Sequence, residues 1–242
     1  MKLLYTTTLL LFTFLLSAQY NYGLEVEQQD AKIEGKLNIQ DGTDNIFIGE
    51  NTGISNINGM RNTILGIGAG ANSDLGNVNT LMGFNAGQNV NTFGNTIIGA
   101  EAGTSLNSGW NNTLLGYVSG VSLTSGVGNV MIGRFSGNNS NGNWNIFIGY
   151  DSGFYETGSD RLYIDSARFN DPDNQTPLIY GEFDNDLLRV NGTLHISETA
   201  KLTPMSQPSA CNTPNEVGLL YFDGIADKLK VCTFNSGWQD LN

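Results

Sequence analysis

Asn95-Thr96-Ile97-Ile98-Gly99-Ala100-Glu101-Ala102-Gly103 is one copy of a phrase that recurs through the middle of this chain. Seven copies follow one another at steps of 17, 17, 16, 17, 17 and 16 residues. Each has Asn, then Thr, Ile or Val, then two large apolar residues and Gly, with a second Gly four positions later. A period this short cannot hold a helical hairpin, but it suits one coil of a parallel β-solenoid whose strands stack at about 4.8 Å.

The repeat therefore predicts an all-β protein with a parallel β-solenoid of seven coils over residues 45–158. Glycines at fixed offsets indicate that the backbone turns at the same place in every coil. Stacked coils would also bring the first asparagine of each copy into one structural ladder, in which each side-chain amide caps backbone groups of its neighbours. The ladder residues are Asn45, Asn62, Asn79, Asn95, Asn112, Asn129 and Asn145.

The pair of apolar residues in each copy predicts self-association. Adjacent residues on a strand point to opposite faces, so if one of the pair fills the coil interior the other points outward. Seven outward apolar side chains in a line form a patch that a monomer rarely exposes. We therefore expect a homo-oligomer around a shared apolar axis, and three chains are the natural closed arrangement for a rod.

The repeat resembles the head repeats of YadA-like trimeric surface adhesins, and still more the NTxIGxxAG repeat proteins secreted by Bacteroidetes and related phage tail-fibre segments. The resemblance covers residues 45–158 and implies a trimeric, left-handed parallel β-roll exposed on a cell or virion surface. The chain departs from the adhesin pattern because it shows no heptad stalk, no C-terminal membrane barrel and no self-cleaving chaperone domain.

The N-terminal segment predicts export. Met1-Lys2, the apolar run Leu9 to Leu16 and the small pair Ser17-Ala18 are typical of a cleaved signal peptide over residues 1–18. The apolar run is shorter than the roughly 20 residues that a membrane-spanning helix needs. We therefore expect a secreted, surface-associated protein without direct membrane insertion.

Two short modules flank the solenoid. Residues 19–44 contain Ala31–Ile39 and residues 159–200 contain Leu188–Ile196, which share an alternating pattern around a central glycine. Both predict bent, half-buried strands like the shafts of trimeric fibres. Strand-like stretches at Arg161–Ile164 and Pro177–Tyr180 make the intervening part a transition segment.

The C-terminal residues 201–242 predict a small β-hairpin knob, with Trp238 and Leu241 closing it. It resembles terminal knobs of bacterial and phage fibre proteins that end in G-W-x-D-L. The two cysteines of the chain, Cys211 and Cys232, bracket this unit. An even pair in an exported chain predicts a disulfide.

The composition of the chain argues against nucleic-acid binding and against enzymatic activity. The net charge of −12 disfavours nucleic acid as a partner. The single histidine, His195, lies in a predicted strand, so a Ser-His-Asp hydrolase has little support. We expect neither enzymatic activity nor a cofactor. The acidic stretches are interpreted as solvated loops, and the alternative is that they bind Ca²⁺ through oxygen ligands. These stretches contain Asp171 and Asp173, and Glu182, Asp184 and Asp186.

Five aromatic residues are candidate ligand contacts. Phe84, Tyr117 and Tyr150 take the same repeat position on every second coil, whereas Trp110 and Trp144 precede ladder asparagines. Such rings can stack on sugars or line a subunit seam. The sequence thus predicts a secreted, non-enzymatic trimeric fibre or adhesin-like protein that can meet a surface glycan or protein. The alternative functions are a soluble solenoid that binds glycan or ice, and a phage-derived receptor-binding fibre. A column of threonines suggests the ice-binding alternative.

Overall fold

The structure is a computed structural model that describes residues 44–72, 74–166, 177–199, 201, 211, 219–226, 228–233 and 236–241. The regular secondary structure of these residues consists of β-strands alone. The strands are β1 (Ile46–Ile48), β2 (Thr63–Leu65), β3 (Thr80–Met82), β4 (Thr96–Ile98), β5 (Thr113–Leu115), β6 (Val130–Ile132), β7 (Ile146–Ile148), β8 (Arg161–Ile164), β9 (Ile179–Glu182), β10 (Leu187–Val190), β11 (Leu220–Asp223), β12 (Lys228–Thr233) and β13 (Gly237–Asp240). The predicted signal peptide 1–18, the predicted shaft strand 31–39, and Asp171 and Asp173 lie outside the described residues.

Strands β1 to β7 confirm the predicted all-β solenoid of seven coils. They pair in chain order and in parallel, with equivalent repeat positions opposite one another; Thr63, for example, pairs with Thr80 and Thr80 with Thr96. Each strand has only three residues, so a single coil is too short to be stable alone. Its backbone groups are satisfied by the coils on either side, as in other stacked repeats.

The core of the solenoid is a narrow stack of one large apolar residue per strand. The first residue of each apolar pair points inward, and six of the seven are fully buried: Ile64, Leu81, Ile97, Leu114, Met131 and Phe147. A second buried row from the opposite side of the coil contains Leu75, Val90, Leu106 and Leu123. A third row is small, with Ala69, Ala86, Ala102, Ser119 and Ser136, because the thin coil leaves no room there for a larger side chain.

The glycine that follows each apolar pair turns the chain at a corner. In the seven coils its φ lies between 123° and 141°, a region that L residues avoid. At Gly99 a Cβ atom would lie 2.2 Å from the carbonyl oxygen of Gly116 in the next coil. Conformation and space therefore both require glycine at this corner.

Another corner lies just before each ladder asparagine, and there the chain is left-handed even without glycine. Arg61, Val78, Asn111 and Trp144 have φ between 56° and 60°. This conformation is least costly for glycine and asparagine and most costly for a β-branched residue. Val78 is consequently a strained position on the solenoid.

An antiparallel unit closes the C-terminal end of the solenoid. β8 stacks in parallel on β7 as an eighth rung, and β9 and β10 then add in antiparallel order. The Tyr163 ring lies edge-on to Phe147 at a centroid distance of 5.4 Å, so it covers the last core residue. The region predicted as a transition segment contains an end cap of the kind that repeat proteins need.

The second shaft-like strand is shorter than predicted. The sequence pattern predicts a strand over 188–196, whereas β10 ends at Val190 and the described residues 191–199 contain no strand. Leu188 and Leu194 are 66% and 67% exposed in the single chain. Residues 191–196 continue the alternating pattern, but no strand among the described residues pairs with them.

The C-terminal unit is a three-stranded antiparallel sheet, so the prediction of a two-stranded hairpin was incomplete. β12 lies between β11 and β13, and Trp238, expected only to close the hairpin, lies within the third strand opposite Cys232. The predicted disulfide between Cys211 and Cys232 is present. It ties the segment before the sheet to the central strand.

Candidate functional site

The outward surface of strands β1–β7 carries no charged residue. The first and third residues of every strand point away from the core, which gives two positions in each of seven strands. We call these positions the sheet face. Its first column is Ile46, Thr63, Thr80, Thr96, Thr113, Val130 and Ile146, and its second is Ile48, Leu65, Met82, Ile98, Leu115, Ile132 and Ile148.

The sheet face is continuous, and its side chains are exposed or half-buried in the single chain. In the second column Ile48 is 46% exposed and Leu115 is 42% exposed. Six steps between the seven strands make the face about 29 Å long. The sequence predicted one outward apolar row, and the threonine column lies beside it on the same surface. The apolar second column makes this face a candidate interaction surface on a chain whose net charge is −12.

The ladder asparagines are buried, and none is more than 1% exposed. Each Oδ1 accepts the backbone N–H of the residue one coil further on, at 2.8–3.0 Å. Each Nδ2 donates to a carbonyl oxygen in the turn of its own coil, at 2.7–3.2 Å. The column holds the coils in register and is not accessible to a ligand.

Three of the predicted contact aromatics lie on a column beside the sheet face. Phe84, Tyr117 and Tyr150 are 50%, 46% and 37% exposed. Arg134 occupies the same repeat position on the coil between the two tyrosines. Its guanidinium carbon is 5.7 Å from the Tyr117 ring centroid and 5.3 Å from that of Tyr150. Sequence reasoning missed Arg134, although its spacing of 17 and 16 residues from the tyrosines places it in their column.

The two tryptophans lie in the turns before the ladder and not in this column. Trp110 stacks with Phe93 of the preceding coil at a centroid distance of 6.0 Å. Trp144 covers Gly128, where a Cβ atom would lie 2.3 Å from the indole ring. Both remain exposed, at 40% and 55%. The structure therefore does not gather the five predicted aromatics into one site.

The end cap contains two tyrosines and a glutamate whose pKa values are shifted. Burial, together with a 2.6 Å hydrogen bond to Glu156, raises the pKa of the Tyr163 hydroxyl. Burial and a hydrogen bond to Glu182 raise the pKa of Tyr180, and the same bond lowers the pKa of Glu182. These are carboxylate–phenol pairs in which the phenol donates, an arrangement that stabilises the cap.

The acidic stretch around Glu182 is occupied by protein contacts. Asp184 forms an ion pair with Arg161 at 2.8 Å, and Asn185 donates to Glu182 at 2.6 Å. Among the described residues no group of three or more His, Cys, Asp or Glu side chains is arranged to hold a metal ion. In the same part of the chain, no helix is long and apolar enough to cross a membrane.

The fold defines a class, the parallel β-solenoids of short repeats. Comparison with protein-family models, with curated proteins and with solved structures gives no match to this chain. The sheet face and the aromatic column are the two candidate functional surfaces of the solenoid.

Proposed function

We propose that three copies of this protein pack their sheet faces around a common axis, and that the assembly is a secreted, non-enzymatic structural or adhesive element of a surface fibre. The observation that carries the proposal is the sheet face itself. Fourteen uncharged positions in two columns run the length of the solenoid. A partner that buries them removes apolar surface from water at about 25 cal/mol per Å².

The regular spacing of the face favours copies of the same chain as partners. Parallel copies related by a rotation axis along the rod place identical coils at the same level, so each apolar column meets a surface of the same period. A closed rotation also prevents open-ended stacking. The resemblance of the repeat to trimeric adhesin heads supports three chains over two.

Two features support an extracellular location, and a third supports a structural role. The signal-like segment 1–18 and the Cys211–Cys232 disulfide both fit an oxidising compartment. The continuous backbone and asparagine ladders make each coil depend on its neighbours, which gives a stiff rod. A stiff rod with loops on its outer surface suits attachment better than turnover of a substrate.

The first test is the solution mass of the purified protein, measured by light scattering coupled to size exclusion with and without reductant. We expect the mass of three chains in both conditions. Leu115→Asp places a carboxylate in the sheet face and should shift the mass to one chain. Ile54→Asp is the matched control, because Ile54 is 68% exposed but lies off the sheet face, and its mass should remain that of three chains.

A monomeric wild-type protein would contradict the assembly. The threonine column would then favour the ice-binding alternative, because Thr63, Thr80, Thr96 and Thr113 pair in register on the outward side of the sheet. Thermal hysteresis of the monomer, lost in Thr96→Tyr, would establish that function. A trimeric protein that antibodies do not detect on intact source cells would contradict the surface location.

A further inference from the structure

Arg134 lies within an aromatic cluster on the outer surface of the solenoid. Its guanidinium carbon is 4.2 Å from the Phe135 ring centroid, and Tyr117 and Tyr150 flank it on the coils before and after. Its Nη1 donates to the Tyr150 hydroxyl at 2.5 Å. Tyr117 and Phe135 are in edge-on contact at 5.9 Å. The rings therefore position the guanidinium group.

The charge of Arg134 is not neutralised within the described part of the chain. Residues 44–166 contain three arginines, no lysine and eight acidic residues. Arg161 pairs with Asp184, whereas no described carboxylate forms an ion pair with Arg134. A guanidinium group has five N–H donors, and the Tyr150 hydroxyl accepts from one of them.

A ligand that satisfies this cluster needs an anionic group and an apolar ring face. A carboxylate can accept two parallel hydrogen bonds from a guanidinium group. A tyrosine ring offers a flat apolar surface with a polar hydroxyl at its edge. Two coil steps separate Tyr117 from Tyr150 by about 9.6 Å, which leaves room for a sugar ring over each tyrosine.

We propose that Tyr117, Arg134 and Tyr150 form a binding site for a carboxylated saccharide, with Arg134 on the carboxylate and the tyrosines against the sugar rings. A nucleic acid does not fit, because phosphate backbones need several cations and the chain carries a net charge of −12. The inference deepens the proposed attachment role by naming the class of target, and in that respect it rests on the proposed function.

The test measures binding of the purified protein to trigalacturonate and to sialyllactose by isothermal titration calorimetry. Trigalacturonate methyl ester and lactose are the uncharged counterparts. We expect at least one acidic saccharide to bind, its uncharged counterpart to bind at least tenfold more weakly, and binding to weaken as salt is raised.

Two variants locate the site. Arg134→Gln should lower the affinity for the acidic saccharide at least tenfold, and Tyr117→Ala should lower it severalfold. Arg61→Gln is the matched control, because it removes an arginine elsewhere on the solenoid and should leave the affinity unchanged. Circular dichroism and solution mass of each variant verify that the fold and assembly are retained.

Three results would overturn the inference: no binding of any acidic saccharide, equal binding by Arg134→Gln and wild type, or equal binding of a short polyglutamate peptide. Solution mass separates this failure from that of the assembly. A trimer that binds no saccharide refutes the site alone, a monomer that binds one refutes the assembly alone, and a monomer that binds none refutes both.

Discussion

Replacing Asn112 with alanine tests whether the asparagine ladder holds the coils together. Asn112 is fully buried in the fifth coil, and its Oδ1 accepts the Asn129 backbone N–H at 3.0 Å. Its Nδ2 donates to the Gly126 carbonyl oxygen at 2.8 Å. Asn112→Ala leaves both backbone groups without these partners in the interior of the stack.

Each buried polar group without a partner costs about 1–3 kcal/mol, so Asn112→Ala should lower the free energy of unfolding by about 2–6 kcal/mol. Urea unfolding followed by circular dichroism measures the change. Asn107→Ala is the control, because Asn107 is exposed in the neighbouring turn and its replacement should cost less than about 0.5 kcal/mol. Equal midpoints for the two variants would refute the role of the ladder.

Asn112→Asp adds a pH-dependent form of the same test. Its carboxylate still accepts from Asn129 but faces the Gly126 carbonyl without a proton to donate, so burial should raise its pKa in the folded state above that in the unfolded chain. The protonated acid can donate to the carbonyl. The variant should therefore approach wild-type stability below the unfolded pKa and lose stability as the pH rises. A deficit that is independent of pH would contradict this account.

Three further predictions concern strain, acid stability and the disulfide. Val78→Asn should raise the free energy of unfolding by about 1 kcal/mol in urea titrations, because it relieves a β-branched residue at φ 56°; a loss of stability would contradict the strain. Backbone N–H donors of the preceding coil lower the pKa of Asp74, so the stability that it contributes should be lost as the pH falls through that lowered pKa. Asn141 takes the equivalent position in its own coil and accepts the equivalent backbone N–H groups, so asparagine is tolerated there. Asp74→Asn should therefore show a smaller fall in the urea unfolding midpoint between pH 5 and pH 2 than wild type does. An equal fall in both proteins would refute the role of Asp74. Replacing Cys211 and Cys232 with serine should destabilise the C-terminal sheet by about 3 kcal/mol while hydrogen exchange in the seven coils stays unchanged; faster exchange there would contradict independent stability.

The repeat carries enough local information to predict the solenoid. Asparagine, an apolar pair and two glycines at constant offsets specify which backbone groups are capped, that one residue of each pair enters the core, and where the chain turns. Because every coil contacts only its neighbours, no long-range pairing has to be inferred. The asparagine column and the seven strands could be placed from the sequence for this reason.

The eighth rung and the third C-terminal strand were harder to predict. In β8 the ladder asparagine is replaced by Arg161 and the corner glycine by Asp165. The rung still forms because Asn145 needs only a backbone N–H, which Arg161 supplies at 2.9 Å. Likewise β13 is short and has little apolar alternation. Backbone pairing of this kind leaves a weak signal in side-chain identity.

By itself the sequence determined the fold class, the coil length, the capped asparagines and the pairing of the two cysteines. It did not decide which residue of each apolar pair points outward, and both are large enough for the core; closing the coil places Ile97 inside and Ile98 outside. Nor did it show that Arg134 lies between Tyr117 and Tyr150. Strand periodicity shows that successive side chains point to opposite faces of the sheet. Only the closed coil decides which face encloses the core and which side chains meet on the outer surface.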